Sequence, residues 1–214
     1  MHLQIPRFLR PLFGKNLLWT MPTNRKEVFL TFDDGPVPEV TPQLLDLLDK
    51  HGVKATFFCV GDNVQKYPEL FEEVKRRGHL VGNHTFNHLK GWKTDTDLYV
   101  ENVRKADKII QSYLFRPPHG QISRSQNRAL KADFQIVMWD IISYDYDKNL
   151  SPARVLQNVT KHTRSGSIIV FHDSIKAQKN MFDALPKALE FWKNEGYELS
   201  LLPKQDTEST SIDQ

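Results

Sequence analysis

The 214-residue sequence holds a single cysteine, Cys59, so no internal disulfide can form. Cys59 lies in the apolar stretch 55–60 and reads as a small buried hydrophobe in a strand, and the lack of disulfides suits a reducing compartment. An excess of charge of either sign is also lacking. Lys and Arg number 29 against 26 Asp and Glu, for a net charge of +3, and no basic run interleaves with aromatics, which argues against nucleic acid as a partner. No apolar run approaches the length that spans a bilayer, so no integral membrane segment is expected. Residues 1–19 carry Arg7, Arg10 and Lys15 among Leu, Ile and Phe. Pro6 and Pro11 interrupt any helix there, and neither an unbroken apolar core nor a small-residue cleavage site follows. A cytoplasmic protein is the expectation. Its 39% hydrophobic and 26% charged content is ordinary for one soluble domain with a substantial core.

What is present is an alternation of strand-like and helix-like segments. Strands are expected at 28–32, 54–60, 79–82, 114–116, 135–140, 167–172 and 197–201. Between them, a helix capped by Thr41 with Pro42 in its first turn runs to Gly52, and another spans 68–77 up to Gly78. A long helix over 94–113 has Val100, Val103, Ala106, Ile109 and Ile110 as its buried stripe. Further helices are expected at 125–131, from Ser151-Pro152 towards Gly166, and over 181–194. The body of the domain is thus 27–203, preceded by an arm (1–26) and followed by a polar tail (204–214) expected to be disordered. This pattern means an α/β fold with a mostly parallel sheet, either an open doubly wound sheet or a barrel. Asp33, Asp34, His84, Arg116, Asp140 and His172 all fall at or just beyond the carboxyl ends of different strands. A barrel gathers loops from all its strands around one mouth, and the barrel is therefore favoured.

The chemistry concentrates in a few places. Asp33 and Asp34 end the first strand, before Gly35-Pro36, and are expected to point to opposite sides of the backbone and so to take different jobs. His84 and His88, four residues apart, share a face if that stretch turns helically. One carboxylate and two imidazoles leave a divalent ion with open positions for water and substrate, and a spare carboxylate beside it suggests hydrolysis.

Thr31-Phe-Asp-Asp-Gly-Pro36, His84-Thr-Phe-Asn-His88, Arg116-Pro-Pro-His-Gly120 and Val170-Phe-His-Asp173 occur in that order. Over about residues 27–201 the chain resembles the metal-dependent polysaccharide deacetylases, also called the NodB-homology or carbohydrate esterase 4 family. The resemblance implies a distorted, TIM-like (β/α) barrel of about seven parallel strands in a single domain. It also implies a divalent ion, Zn²⁺ or else Co²⁺, Ni²⁺, Mn²⁺ or Fe²⁺, and removal of N-acetyl groups from an amino sugar in an oligo- or polysaccharide. Carried over residue by residue, it makes Asp34, His84 and His88 the metal ligands and Asp33 the general base. Arg116 would pair with that base, the backbone N–H around His119 would bind the oxyanion, and His172 would be the general acid. Amide hydrolysis needs all three aids: an activated water, a stabilised oxyanion and a protonated leaving nitrogen.

The chain also departs from the family. His119 stands where a Tyr is common, which keeps a backbone donor and loses the phenol. The fourth motif is altered after Trp139-Asp140, and Asp145 is assigned the role of tuning His172, with Asp140 as rival. Tyr146, with Tyr144 and Trp139, offers aromatic surface for a sugar ring. Three other readings compete. The same ligand set serves Fe(II) oxygen chemistry, although that needs no acid–base pair like Asp33 and His172. A non-catalytic glycan-binding barrel would not need to keep those two residues. A deacetylase of a small intracellular non-sugar amide would share the site with a different substrate.

Overall fold

A computed structural model describes Phe8, Arg10, Gly14 and residues 16–203. Its strands are β1 (Leu17–Leu18), β2 (Glu27–Asp33), β3 (Thr56–Cys59), β4 (Leu80–Asn83), β5 (Leu114–Phe115), β6 (Gln135–Val137), β7 (Ile141–Ile142), β8 (Ser167–His172) and β9 (Glu198–Leu199). Between them lie α1 (Thr41–Lys50), α2 (Gly61–Lys66), α3 (Pro68–Arg76), α4 (Thr96–Ile110), α5 (Arg124–Leu130), α6 (Pro152–Thr160) and α7 (Gln178–Asn194). The hydrogen-bonded order is β1-β6-β5-β4-β3-β2-β8-β7, with β9 on the start of β2, and the strand ladders are parallel. Residues 135–142 form one segment that changes partner, pairing with β5 up to Ile136 and with β8 from Ile141. That switch brings the two edges of the sheet together into a distorted (β/α) barrel, and Thr20 bridges to Ser167 beside the seam.

Strand periodicity then sorts side chains into two layers. From β2, Val28, Leu30 and Phe32 pack outward in one cluster with Leu44, Leu45 and Leu48 of α1 and Met181, Leu185 and Trp192 of α7. Phe29 instead joins Phe58, Leu114, Val137 and Ile168 inside the barrel. Each such buried side chain contributes roughly 1.5–3 kcal/mol. Thr31 and Asp33 continue the inward series above Phe29. The Arg116 guanidinium lies 4.0 Å from the Phe58 ring centroid, so the floor of the barrel is apolar and its upper half polar.

Several expected elements differ, each for a tertiary reason. The expected strand 135–140 breaks because Arg116 takes the carbonyls of Val137 and Met138 (3.3 and 3.0 Å), while Met138 N donates to Leu18. Within the expected arm, Leu17 and Leu18 pair with Ile136 and Val137, so the sheet begins ahead of residue 27. Thr41 does not cap α1. Its hydroxyl accepts from Val37 N (2.6 Å) and donates to Asp173 Oδ2 (2.7 Å), serving the loop after β2. Gly166 does not close α6, which ends at Thr160; at φ +82° it turns the chain into β8. In α4 the buried face takes in Tyr99 and leaves Ile109 at the surface. The expected tail, 204–214, lies outside the described residues.

Candidate active site

The carboxyl ends of the strands surround a cavity of about 690 Å³, lined by Asp33, Asp34, His84, His88, His119, Trp139, Tyr144, Tyr146 and His172 among others. Asp33 ends β2 in register with His172 at the end of β8. Its Oδ1 accepts from Arg116 Nη1 at 2.6 Å, and Nη1 also donates to Thr31 Oγ1 at 2.8 Å. Arg116 is fully buried, with its other nitrogens on the two carbonyls of the 137–138 bend. The ion pair is therefore held from below by β2, β5 and β6. The two carboxylates do not diverge as alternation suggested. Asp34 has φ +84°, a left-handed turn that brings its side chain back into the same cavity.

Asp34, His84 and His88 each offer a ligand atom, all within 4.8 Å of one another. His88 Nε2 is 3.1 Å and His84 Nε2 3.7 Å from Asp34 Oδ1. His84 Nδ1 lies 2.7 Å from the Arg116 carbonyl, which can only accept, so the proton is on Nδ1 and the Nε2 lone pair faces the other donors. Burial, against the pull of Asp33 and Asp34, lowers the His84 pKa to about 4 and keeps the ring neutral. Burial alone would raise the Asp34 pKa. The His88 hydrogen bond and then the charge of His172 overcome it and hold the carboxylate well below its usual range. A carboxylate and two imidazoles whose ligand atoms converge within 4.8 Å fit a divalent ion.

The histidine pair does not sit on a helix. β4 ends at Asn83, and the loop reaches the i, i+4 geometry through left-handed Thr85 (φ +64°) and His88 (φ +57°). Such a conformation is an outlier for a β-branched residue and persists only if the surroundings fix it. They do. Asn83 accepts from Thr85 N and donates to Val103 of α4, while Asn102 of α4 accepts from Phe86 N (2.9 Å) and donates to Asn87 Oδ1 (3.0 Å).

Across the cavity, both Asp145 oxygens accept from His172, Oδ1 from Nδ1 (2.7 Å) and Oδ2 from the backbone N–H (2.9 Å). Burial pushes the His172 pKa down. The Asp145 charge and hydrogen bond, with help from Asp34 and Asp33, outweigh it and bring the pKa up to about 9. The Tyr146 ring stands edge-on to His172 at 4.7 Å. Asp140, the rival of Asp145, is elsewhere, bound by Arg10 (2.7 Å), Arg164 and Ser167 (2.9 Å). His119 lines the cavity with its ring 4.8 Å from that of His88 and a left-handed backbone (φ +57°).

Two residues went unread in the sequence. Asn102 gave no signal, because its role depends on packing of α4 against the loop. Asp173 was visible in Val170-Phe-His-Asp173. It is fully buried, its N–H donates to Asp33 O (2.7 Å), and its carboxyl accepts from Thr41. Burial raises its pKa to about 7 against the Thr41 hydrogen bond.

Fold and mouth together define the class: a distorted (β/α) barrel whose strand ends carry a candidate divalent-metal centre between a buried Asp–Arg pair and an Asp–His pair. The chain belongs to the polysaccharide deacetylase family, whose signature matches residues 20–137, and it is a carbohydrate deacetylase. It is 36% identical over 190 residues to a peptidoglycan-N-acetylglucosamine deacetylase of Bacillus cereus, covering 85% of this chain and 69% of that one. The crystal structure of the Bc1960 peptidoglycan N-acetylglucosamine deacetylase superposes with a TM-score of 0.84 at 32% identity, over 92% of this chain and 95% of that one. BA3943, a CE4 family pseudoenzyme from Bacillus anthracis, also superposes (TM-score 0.78, 25% identity, 87% and 67% of the two chains). The fold alone therefore does not guarantee activity, which depends on the side chains at the mouth. No helix among the described residues is long and apolar enough to cross a membrane.

Proposed function

We propose that the protein removes the N-acetyl group from N-acetylglucosamine units of a peptidoglycan-type glycan, with Asp34, His84 and His88 holding a divalent ion, Zn²⁺ in the first instance. The observation that carries this reading is the co-location, around one cavity, of a three-donor set, a buried Asp33–Arg116 pair and a His172–Asp145 pair. Such an ion supplies, when bound, acidified water and a polarised acetyl carbonyl. Asp33 accepts the proton of the attacking water, and Arg116 fixes its carboxylate beneath the acetyl group. The backbone N–H around His119 faces the oxygen that gains charge. His172, its Nδ1–H committed to Asp145, has Nε2 as the nitrogen from which a proton reaches the departing amine. Tyr146 packs against that ring and, with Tyr144 and Trp139, offers aromatic walls to the sugar.

A wall glycan lies outside the cytoplasmic membrane, so this substrate requires the protein to meet it there. A cytoplasmic protein would act on a soluble precursor, and fractionation of the producing cells separates the two. The catalytic division of labour is tested by metal content and acetate release measured on the same preparations. Asp34→Ala and His84→Ala should lose the ion, whereas Asp33→Asn should keep it and lose turnover by roughly 10²-fold or more. A metal-free Asp33→Asn protein beside a metal-loaded Asp34→Ala protein would reverse the assignment.

A further inference from the structure

Trp92 sits in a short turn, Gly91–Lys93, that follows the metal-ligand loop, and it is 64% exposed. Trp19 and Trp192 are buried, and Trp139 lines the cavity. The exposed indole is held in place. Its Nε1–H donates to the Ile122 carbonyl at 3.3 Å. The turn beneath it is anchored by the buried Gln126, whose Nε2 donates to Gly91 O (2.9 Å) and Thr94 O (3.1 Å). Gly91 presses so closely on the next segment that a Cβ there would stand 2.1 Å from the Gln121 carbonyl oxygen. Gln121 lines the cavity, and Ile122 is its neighbour in the chain. A solvent-facing indole, bonded to Ile122 and carried on a turn that packs against Gln121, is thus fixed one residue along the chain from the cavity wall.

We propose that Trp92 is a stacking platform for a second pyranose ring of the substrate glycan, next along the chain from the unit whose acetyl group enters the cavity. The inference rests on the glycan-deacetylase reading above and extends it to a subsite. A pyranose presents an apolar face of C–H groups and keeps its hydroxyls at the rim. It can cover the indole without stripping water from those hydroxyls. The Nε1 hydrogen bond and the anchored turn fix the indole before binding, so little ordering entropy is lost when the ring arrives. A polymer must leave the cavity over some side of its mouth, and Trp92, bonded to the segment that follows Gln121, offers it a preformed apolar surface on one side. The site therefore selects for oligomers rather than single sugars.

The test uses fully N-acetylated chitooligosaccharides of two to six units with the unsubstituted protein, Trp92→Ala and Trp92→Phe. Acetate release gives kcat and KM, and calorimetry gives hexamer binding. For Trp92→Ala, kcat/KM on the hexamer should fall about tenfold, equivalent to ~1.4 kcal/mol, chiefly through KM. The loss should shrink as the oligomer shortens, and Phe should restore most of it. An equal loss at every length would overturn the platform, since it would mean that the substitution disturbs the neighbouring histidine loop. No loss at any length would overturn it too, and would leave Trp92 to a protein partner. Trp92-dependent hexamer binding without acetate release would keep the platform and remove the deacetylase reading. Absence of both would remove both.

Discussion

Replacing Asp145 by Asn should shift the pH dependence of turnover, and the shift can be worked from geometry. Asp145 Oδ1 lies 2.7 Å from His172 Nδ1 in a buried pair. Two opposite charges about 4 Å apart at an effective dielectric near 20 attract by ~4 kcal/mol, worth about three pKa units. Burial opposes that attraction, and the net result is a His172 pKa of about 9, above the ordinary 6.5. Without the Asp145 charge, burial is opposed only by Asp33 and Asp34, and the ion proposed at Asp34 would cancel part of even that. The His172 pKa should then fall by roughly two units or more. The amide also cannot match the carboxylate, because both Asp145 oxygens accept from His172 donors and Asn has one acceptor to offer.

The sign follows from the acid role proposed for His172. It works while protonated, so activity is lost as pH rises through its folded pKa, and a lower pKa moves that loss to lower pH. At pH 8 a fall from about 9 to near 6.5 leaves only a few per cent of the ring protonated, a loss of roughly 30-fold. At pH 6 the same change costs no more than about twofold in protonation. Acetate release from an N-acetylated oligosaccharide, profiled from pH 5 to 9.5, reads this directly. An activated aryl acetate serves as control, because its leaving group departs without a proton. A variant whose loss is the same at every pH, or equal on amide and ester, would refute the argument and leave Asp145 a purely structural partner.

Three further outcomes follow from other parts of the molecule. Asn102→Ala frees Phe86 N and Asn87, and should weaken metal affinity about 10–100-fold in a chelator competition with the fold intact; unchanged affinity would mean the loop holds itself. Arg116→Ala strands Asp33 in a buried site and should cost about 3–5 kcal/mol in urea unfolding, whereas a cost below ~1 kcal/mol would mean that water replaces the guanidinium. His79 accepts from Ala55 N through Nδ1, and burial, aided by Lys54, lowers its pKa to about 4. Since the folded pKa lies below the unfolded 6.5, its contribution is present above 6.5 and lost as pH falls through 4, at ~1.4 kcal/mol per pH unit. His79→Asn keeps an acceptor that does not titrate, so it should lose less stability between pH 7 and 4 than the unsubstituted protein; parallel losses would clear His79 of the effect.

Most of the barrel was legible because its central strands are apolar runs that end in chemistry. The segments 28–32 and 167–172 were read within a residue or two of β2 and β8, and Asp33 and His172 were placed at their ends. What escaped depends on partners far away in sequence. Leu17–Leu18 is a strand of two residues, too short to show a period, and exists because β6 offers it carbonyls and N–H groups. Gly61–Lys66 starts at a glycine without a capping side chain, where a Cβ would meet Phe86 and Ala106. The choice between Asp140 and Asp145 stayed open because distance along the chain from a strand end says nothing about a strand that changes partner halfway.

The deepest failure of local reasoning falls on the site itself. Six non-glycine residues among those described have a left-handed backbone: Asp34, Thr85, His88, Gln111, His119 and Tyr144. Four of them line the cavity, and Thr85 sits between the two histidines. Alternation placed Asp33 and Asp34 on opposite faces, and helical spacing joined His84 to His88; a positive φ undid the first and stood in for the second. Each such residue costs on the order of 1–3 kcal/mol and persists only where its surroundings over-determine it. The hydrogen bonds of Asn83 and Asn102 supply them for the histidine loop, and that of Asp173 to Asp33 O for the end of β2. Local preference and global fold agree along β2 and β8 and part company at their ends, where side chains from successive positions must converge on one point. That convergence is the geometry a three-donor metal centre needs, and regular strand or helix periodicity at those positions would not have supplied it.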